Sequence, residues 1–267
     1  MSKSIGSSSG AVRQYSPSEE VKKKKSILQN IGVGSLSGIS AVSMIQPLIY
    51  FKNMKQLGSH VKRNPRVWYR GVGGFAASFA PTIALQTAVK GIFSNIWDLG
   101  PVVAALAGGA FSALVVCPAE GIMIQQQKTG VGFFKTAEYV YTDYGIRGFY
   151  RALLPTAARE ATFAAAYLGV TPIVKRKLES LGMHAWIAQI LAGAGVGIAA
   201  AGISHPFDTV KTQQQGDLSM KMATVEALCK KGVFAGFAWR AAMLTTATTV
   251  IPFVQEKLDK IVEKLKN

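Results

Sequence analysis

Pro206-Phe207-Asp208-Thr209-Val210-Lys211-Thr212-Gln213-Gln214-Gln215 sets an acid and a base just behind a proline and ends on a glutamine nine residues past it. The same frame recurs from Pro47, through Ile49 and Lys52, to Gln56, and from Pro118, through Glu120 and Met123, to Gln127. A spacing used three times sets the architecture before any single residue is weighed. Each copy closes a long apolar stretch rich in glycine and alanine. A charged motif in that position reads as a polar gate in a membrane.

Composition agrees. The chain has 267 residues, 49% of them hydrophobic and 16% charged, with a mean hydropathy of +0.24. That is too apolar for an ordinary soluble domain. The net charge of +16 comes from Lys and Arg placed between apolar stretches, with no basic face interleaved with aromatics. Nucleic acid is therefore set aside, and an anionic lipid surface or an anionic solute is the partner class. Cys117 and Cys229 lie in apolar or amphipathic context, suggest no disulfide framework and are read as structural. Residues 1–25 are Ser/Gly-rich and then charged, without the apolar core of a secretory signal. They predict a disordered tail, in which Glu19 and Glu20 argue against a cleaved transit peptide. The Lys22–Lys25 run suits a solvated helix start or a lipid headgroup contact.

About 20 apolar residues cross a bilayer, which predicts six transmembrane helices at 27–51, 72–97, 101–125, 152–176, 184–210 and 235–256. The joins at 98–100 and 180–182 are tight, whereas those at 57–71, 128–151 and 216–234 are long, polar and basic. The expected fold is an all-α membrane protein of three helical-hairpin repeats, 26–100, 101–181 and 182–267, around a central cavity. Short amphipathic helices are expected in the long joins at Phe133–Tyr144 and Met220–Cys229. Gly34 with Gly38, Ala105 with Gly109 and Gly193 with Gly197 form small-xxx-small pairs that let helices approach closely. No strand precedes the glycines at 32–34 and 193–195, so they are not read as nucleotide loops. Pro47, Pro118 and Pro206 each remove a helical hydrogen bond, and a kink is expected at each.

These motifs resemble those of the mitochondrial carrier family. Its signature is Pro-x-acid-x-x-base at the end of each odd helix, then an aromatic-basic-glycine element leading into each even helix. Pro206 to Lys211 supply the first in full, and Trp68-Tyr69-Arg70-Gly71, Phe149-Tyr150-Arg151-Ala152 and Phe234-Ala235-Gly236 supply versions of the second. The resemblance covers about residues 27–258. It implies a threefold pseudo-symmetric ring, in which the acid of one odd helix pairs with the base of the next.

Applied here, that rule pairs Glu120 with Lys211 and Asp208 with Lys52, and sets Ile49 opposite Met123. The two departures thus fall on one link, and no charge is orphaned. An unpaired charge at membrane depth costs roughly 3 kcal/mol on insertion scales, so a joint loss is what physics permits. Gln56, Gln127 and Gln215 resemble the glutamine braces whose amides bond across the ion pairs and close the matrix-side gate; the plainer reading is polar residues at a helix end. The opposite gate is degraded. Its expected positions hold Gly91, Ser94, Pro172, Lys175, Gln255 and Leu258, of which only Lys175 is charged.

By the same resemblance the substrate contacts fall near Ser78, Arg159 with Glu160, and Met243, with Arg240 one turn from Met243. Arg159 and Glu160 interrupt an apolar run, and a guanidinium fork suits a carboxylate. In this family an Arg followed by an acid resembles carriers of amino acids, with the acid receiving the amino group; the alternative for Arg159 is pairing within the bundle. Gln86 and His205 are further candidates to line the cavity, His205 with a packing alternative. Arg70, Gly71 and Arg151 resemble cardiolipin-like lipid contacts, where helix N-terminal amides meet a phosphate.

Enzymatic readings lack parts. His60, His184 and His205 are scattered, and neither a metal-ligand spacing nor a nucleophile elbow occurs. No cofactor or metal is expected. The functional expectation is a monomeric carrier of a small carboxylate-bearing metabolite in the mitochondrial inner membrane. The alternative is a carrier-derived scaffold or adaptor that no longer transports.

Overall fold

A computed structural model describes residues 27–95, 97, 100–219 and 232–264. The expected tail at 1–25, the join residues Asp98 and Leu99, and the segment Met220–Cys229 lie outside the described residues, as does the side chain of Gln255.

Every described element is helical. The three proline-motif stretches form α1 (Ile27–Leu57), α5 (Pro101–Thr129) and α9 (Ala185–Gly216), with Pro47, Pro118 and Pro206 inside helices that stay continuous through them. All three run past their expected ends at 51, 125 and 210. The residues behind each proline, rich in Gln and Lys, are good helix formers and carry the helix on until a stop signal arrives. In α5 that signal is Gly130, left-handed at φ 82°, whose N–H caps the Gln126 carbonyl at 2.8 Å.

The intervening stretches are more broken. Residues 72–95 form α3 (Val72–Ala77) and α4 (Phe79–Asn95), interrupted at Ser78. Residues 153–180 form α7 (Leu153–Ala164), a π-turn (Ala165–Val170) and α8 (Thr171–Ser180). Pro172 supplies no N–H at the start of α8, and the Thr171 hydroxyl donates to the Ala166 carbonyl at 2.8 Å where the ladder shifts register. The last helix, α10 (Phe237–Lys264), begins after Gly236 at φ 78°. Two helices lie in the long joins. They are α2 (Pro65–Trp68) and α6 (Phe133–Phe149), the latter extending beyond the expected 133–144 across a break at Gly145.

These helices pack in chain order: α1 on α4, α4 on α5, α5 on α7, α7 and α8 on α9, α9 on α10, and α10 back on α1. The ring is closed by small residues. A Cβ on Gly109 would meet the Glu160 carbonyl at 2.4 Å, and one on Gly193 would meet Thr249 Oγ1 at 2.8 Å, so α5–α7 and α9–α10 touch backbone to backbone.

The packing is inverted relative to a water-soluble bundle. On α9 the buried positions include Ala188, Ala192, Ala200, Ala201 and Ser204, while Ile190, Leu191, Ile198 and Ile203 face outward. On α5, Val103, Phe111 and Leu114 are likewise exposed. Large apolar side chains outside and small or charged ones inside suit lipid as the surrounding medium. Among the described residues three helices, Pro101–Thr129, Ala185–Gly216 and Phe237–Leu258, are long and apolar enough to cross a membrane. The pair Pro65–Ala77 and Phe79–Ser94, bent by 47°, makes a fourth if counted as one span. The fourth expected span, 152–176, is helical but is interrupted by the charges of Arg159 and Glu160 and by the π-turn.

Candidate functional site

A cavity of about 980 Å³, open mouth included, lies within the ring. Its lining comes from α1, α3, α4, α5, α7 with the π-turn, and α10, together with Ser78. Of the lining residues only Lys52, Glu120, Arg159 and Glu160 are charged.

Those four belong to a larger buried cluster at the proline-motif end of the cavity. Glu120 Oε2 accepts from Lys211 Nζ at 3.1 Å and from Arg159 Nη2 at 2.7 Å. Asp208 Oδ2 accepts from Lys52 Nζ at 2.7 Å and from Gln56 Nε2 at 2.9 Å. The other oxygen, Oδ1, lies 2.8 Å from Arg240 Nη1 and 3.8 Å from Lys211 Nζ. Arg159 Nη2 also donates to Glu160 Oε1. One cluster thereby connects α1, α5, α7, α9 and α10. Lys52, Arg159, Lys211 and Arg240 face Glu120, Glu160 and Asp208, four cations against three carboxylates, which leaves one positive charge in excess. Buried charges persist only when densely paired and hydrogen-bonded, and this cluster meets that condition by sharing each carboxylate among several donors.

The structure therefore places Arg159 and Arg240 differently from simple substrate contacts. Arg159 lines the cavity, yet its guanidinium is held by Glu120 and Glu160; Arg240 lies behind it, bonded to Asp208 and to Ser204 Oγ, and is absent from the lining. A guanidinium reaches several ångströms beyond its helix, so neighbouring carboxylates capture it wherever they are closer than the cavity axis. Met243 does line the cavity, in the apolar cluster that also holds Ile45, Ile49, Val116 and Met123. Ser78 lines it too, with its hydroxyl turned back onto the Phe75 carbonyl at 2.6 Å.

The three glutamines part company. Only Gln56 reaches an ion-pair carboxylate. Gln215 Nε2 donates to the Cys117 carbonyl at 3.0 Å, and Gln127 Oε1 accepts from Asn53 Nδ2 at 2.8 Å. The expectation of three amides across ion pairs is corrected accordingly: Gln127 sits on the link that has no charges, and the nearer acceptor for Gln215 is backbone. Two further ties join α5 to the end of α9, Gln125 Nε2 to the Gln215 carbonyl and Lys128 Nζ to the Gly216 carbonyl, both at 2.6 Å. Asn53, Gln125 and Lys128 were not legible from the repeat, because only one copy carries each of them in a bonding position; the Gln125–Gln127 and Gln213–Gln215 runs were the available signal.

Gln86 lines the cavity and donates to Ser112 Oγ at 3.1 Å. His205 does not line it. The ring is fully buried, parallel to Phe234 at 5.7 Å and edge-on to Phe237 at 5.4 Å, which is the packing role. Cys117 is buried, and its thiol donates to the Phe149 carbonyl at 3.4 Å. At the opposite end, Lys175 pairs with Glu179 of its own helix at 3.8 Å. Of the residues expected to meet lipid, Arg70 leans on the C-terminal end of α5, its Nη1 2.5 Å from where a Cβ on Gly130 would stand. Gly71, at φ 80°, brings backbone against Met123, and Arg151 is half-buried before α7.

The model of the mitochondrial carrier protein family matches residues 98–181. A mitochondrial carrier of Schizosaccharomyces pombe is 27% identical over 88% of this chain and 94% of its own length. A tricarboxylate transporter of Gibberella moniliformis is 23% identical over 86% of this chain and 88% of its own, and a mitochondrial arginine transporter of Arabidopsis thaliana is 29% identical over 57% of each.

Proposed function

This chain belongs to the mitochondrial carrier family, and from that premise we propose that it moves a small carboxylate-bearing metabolite, an amino acid or close analogue, across the mitochondrial inner membrane by alternating access. Members of this family are transporters, not enzymes. The observation that carries the reading is the cavity floor: a buried cluster with one positive charge in excess, whose Arg159 faces the cavity. A solute carboxylate there balances the charge and competes with Glu120 for Arg159, while the Glu160 carboxylate is placed to receive an amino group.

In this reading the Lys52–Asp208 and Glu120–Lys211 pairs, with Gln56, form a gate that closes the matrix side. The carboxylates of these pairs are each shared among several donors, so the gate can open by exchange of partners rather than by exposing an unpaired charge. The closed helix ring supports six spans in three pseudo-symmetric hairpins, acting as a monomer in which Arg70, Gly71 and Arg151 meet an anionic, cardiolipin-like lipid.

Uptake of labelled amino and keto acids into liposomes holding the full chain tests the proposal. We expect uptake of at least one, and its loss in Arg159→Ala with helix content retained. Uptake indifferent to Arg159→Ala removes this residue from the site. One observation favours a second reading: the α1–α5 link lacks an ion pair and the far gate keeps only Lys175, as a scaffold released from transport would allow. Neither uptake nor thermal stabilisation across a broad metabolite panel would decide for it.

A further inference from the structure

Above its charged floor the cavity is almost wholly apolar. Val42 and Ile45 of α1, Phe79 of α4, and Met243, Leu244 and Ile251 of α10 form the wall, and none of the lining beyond the floor is ionisable apart from the phenol of Tyr167. The few polar groups on it are already committed. Ser78 bonds the Phe75 carbonyl and Gln86 bonds Ser112, which leaves the Thr82 hydroxyl and, beside the floor, Asn53 Oδ1 as the described lining groups without a partner. At the floor, Lys52 is held by Asp208, and Arg159 is the one cavity-facing cation whose carboxylate partners, Glu120 and Glu160, themselves line the cavity.

We infer that the solute is a monocarboxylate with a bulky apolar body, a branched or aromatic amino or keto acid, lying with its carboxylate at Arg159 and its body against α1, α4 and α10. The argument rests on the transport reading given above and narrows it. A second or third carboxylate would have to lie against Ile45, Met243 or Leu244, where burying a charge without a partner is prohibitive. A cationic side chain fares no better on this wall. An apolar body, by contrast, gains from every CH₂ it buries.

The test uses the full chain in liposomes and, separately, its thermal stabilisation in detergent. The probes are leucine, phenylalanine and phenylpyruvate against citrate, malate and arginine. We expect initial uptake of the apolar acids roughly tenfold faster than of any of the others, and Met243→Arg to lower it about tenfold while admitting citrate or malate. Citrate, malate or arginine moving as fast as the apolar acids overturns the inference and leaves transport standing. If nothing is taken up, transport fails, and the stabilisation ranking decides: apolar acids alone stabilising the protein uphold the cavity assignment, whereas stabilisation by the polyvalent or cationic probes, or by none, ends it.

Discussion

Asn53 Nδ2 donates to Gln127 Oε1 at 2.8 Å on the α1–α5 link, the one link of the ring where no ion pair forms. Both residues are fully or nearly fully buried. An amide pair thus stands one turn beyond Ile49 and Met123, where the other two links hold opposite charges. Removing one partner leaves the other amide desolvated and unpaired, at about 1–3 kcal/mol. Asn53→Leu is therefore expected to lower the melting temperature by about 2 to 4 °C for each kcal/mol lost. A double-mutant cycle with Gln127→Leu should show coupling; strictly additive losses would remove the link.

The apolar contact itself makes a second prediction. Ile49 and Met123 share one buried cluster. Ile49→Glu alone, or Met123→Lys alone, sets an unpaired charge among apolar neighbours and should cost several kcal/mol. Together they rebuild the acid–base pattern of the other links. The double variant is expected to melt above either single one, and a double variant no more stable than the worse single one would show that these positions do not face each other across the ring.

The repeat made part of this site legible and hid the rest, for a geometric reason. Glu120, Lys211, Asp208 and Lys52 hold equivalent places in the repeat, the ring that the family resemblance implies pairs them, and the structure sets the pairs 3.1 and 2.7 Å apart. The partners of Arg159 and Arg240 depend instead on side-chain reach between α7, α10 and the odd helices. No periodicity encodes that, and both guanidinium groups end on gate carboxylates. The helix ends differ from the expected ones for another reason: apolar length stops at the charged motif, whereas the helices α1, α5 and α9 continue through it. His205 was ambiguous because its stacking partner Phe234 lies in the next join, distant in sequence.

Close approach gives a third prediction. Gly109 has no room for a side chain, since a Cβ would overlap the Glu160 carbonyl and come within 2.8 Å of Ala161 Cα. Gly109→Val must push α7 away from α5 and carry Arg159 from Glu120 with it. Both stability and carboxylate uptake should fall. Gly91→Val, where a Cβ would meet nothing within 4 Å, is the control expected to change neither. Equal effects from the two would show that α5–α7 contact does not position Arg159.

The charge excess makes the sharpest test, because it ranks two substitutions that a simple count of lost contacts would rank together. Arg240 and Asp208 are each fully buried and face each other at 2.8 Å. Arg240→Met leaves three cations against three carboxylates, with Asp208 still bonded to Lys52 and Gln56. Asp208→Asn leaves four cations against two carboxylates and strands Lys52, whose one ion-pair partner in the described cluster is Asp208. Breaking a buried pair costs about 3–5 kcal/mol when the survivor is uncompensated, and much less when the remainder is balanced. Asp208→Asn should therefore melt well below Arg240→Met. The balanced Arg240→Met cluster should also bind a carboxylate solute about tenfold more weakly than the native one, since the excess charge that attracts it is gone. Equal melting temperatures, or unchanged carboxylate affinity in Arg240→Met, would mean that the excess charge is neutralised within the protein and is not what draws the solute to the cavity floor.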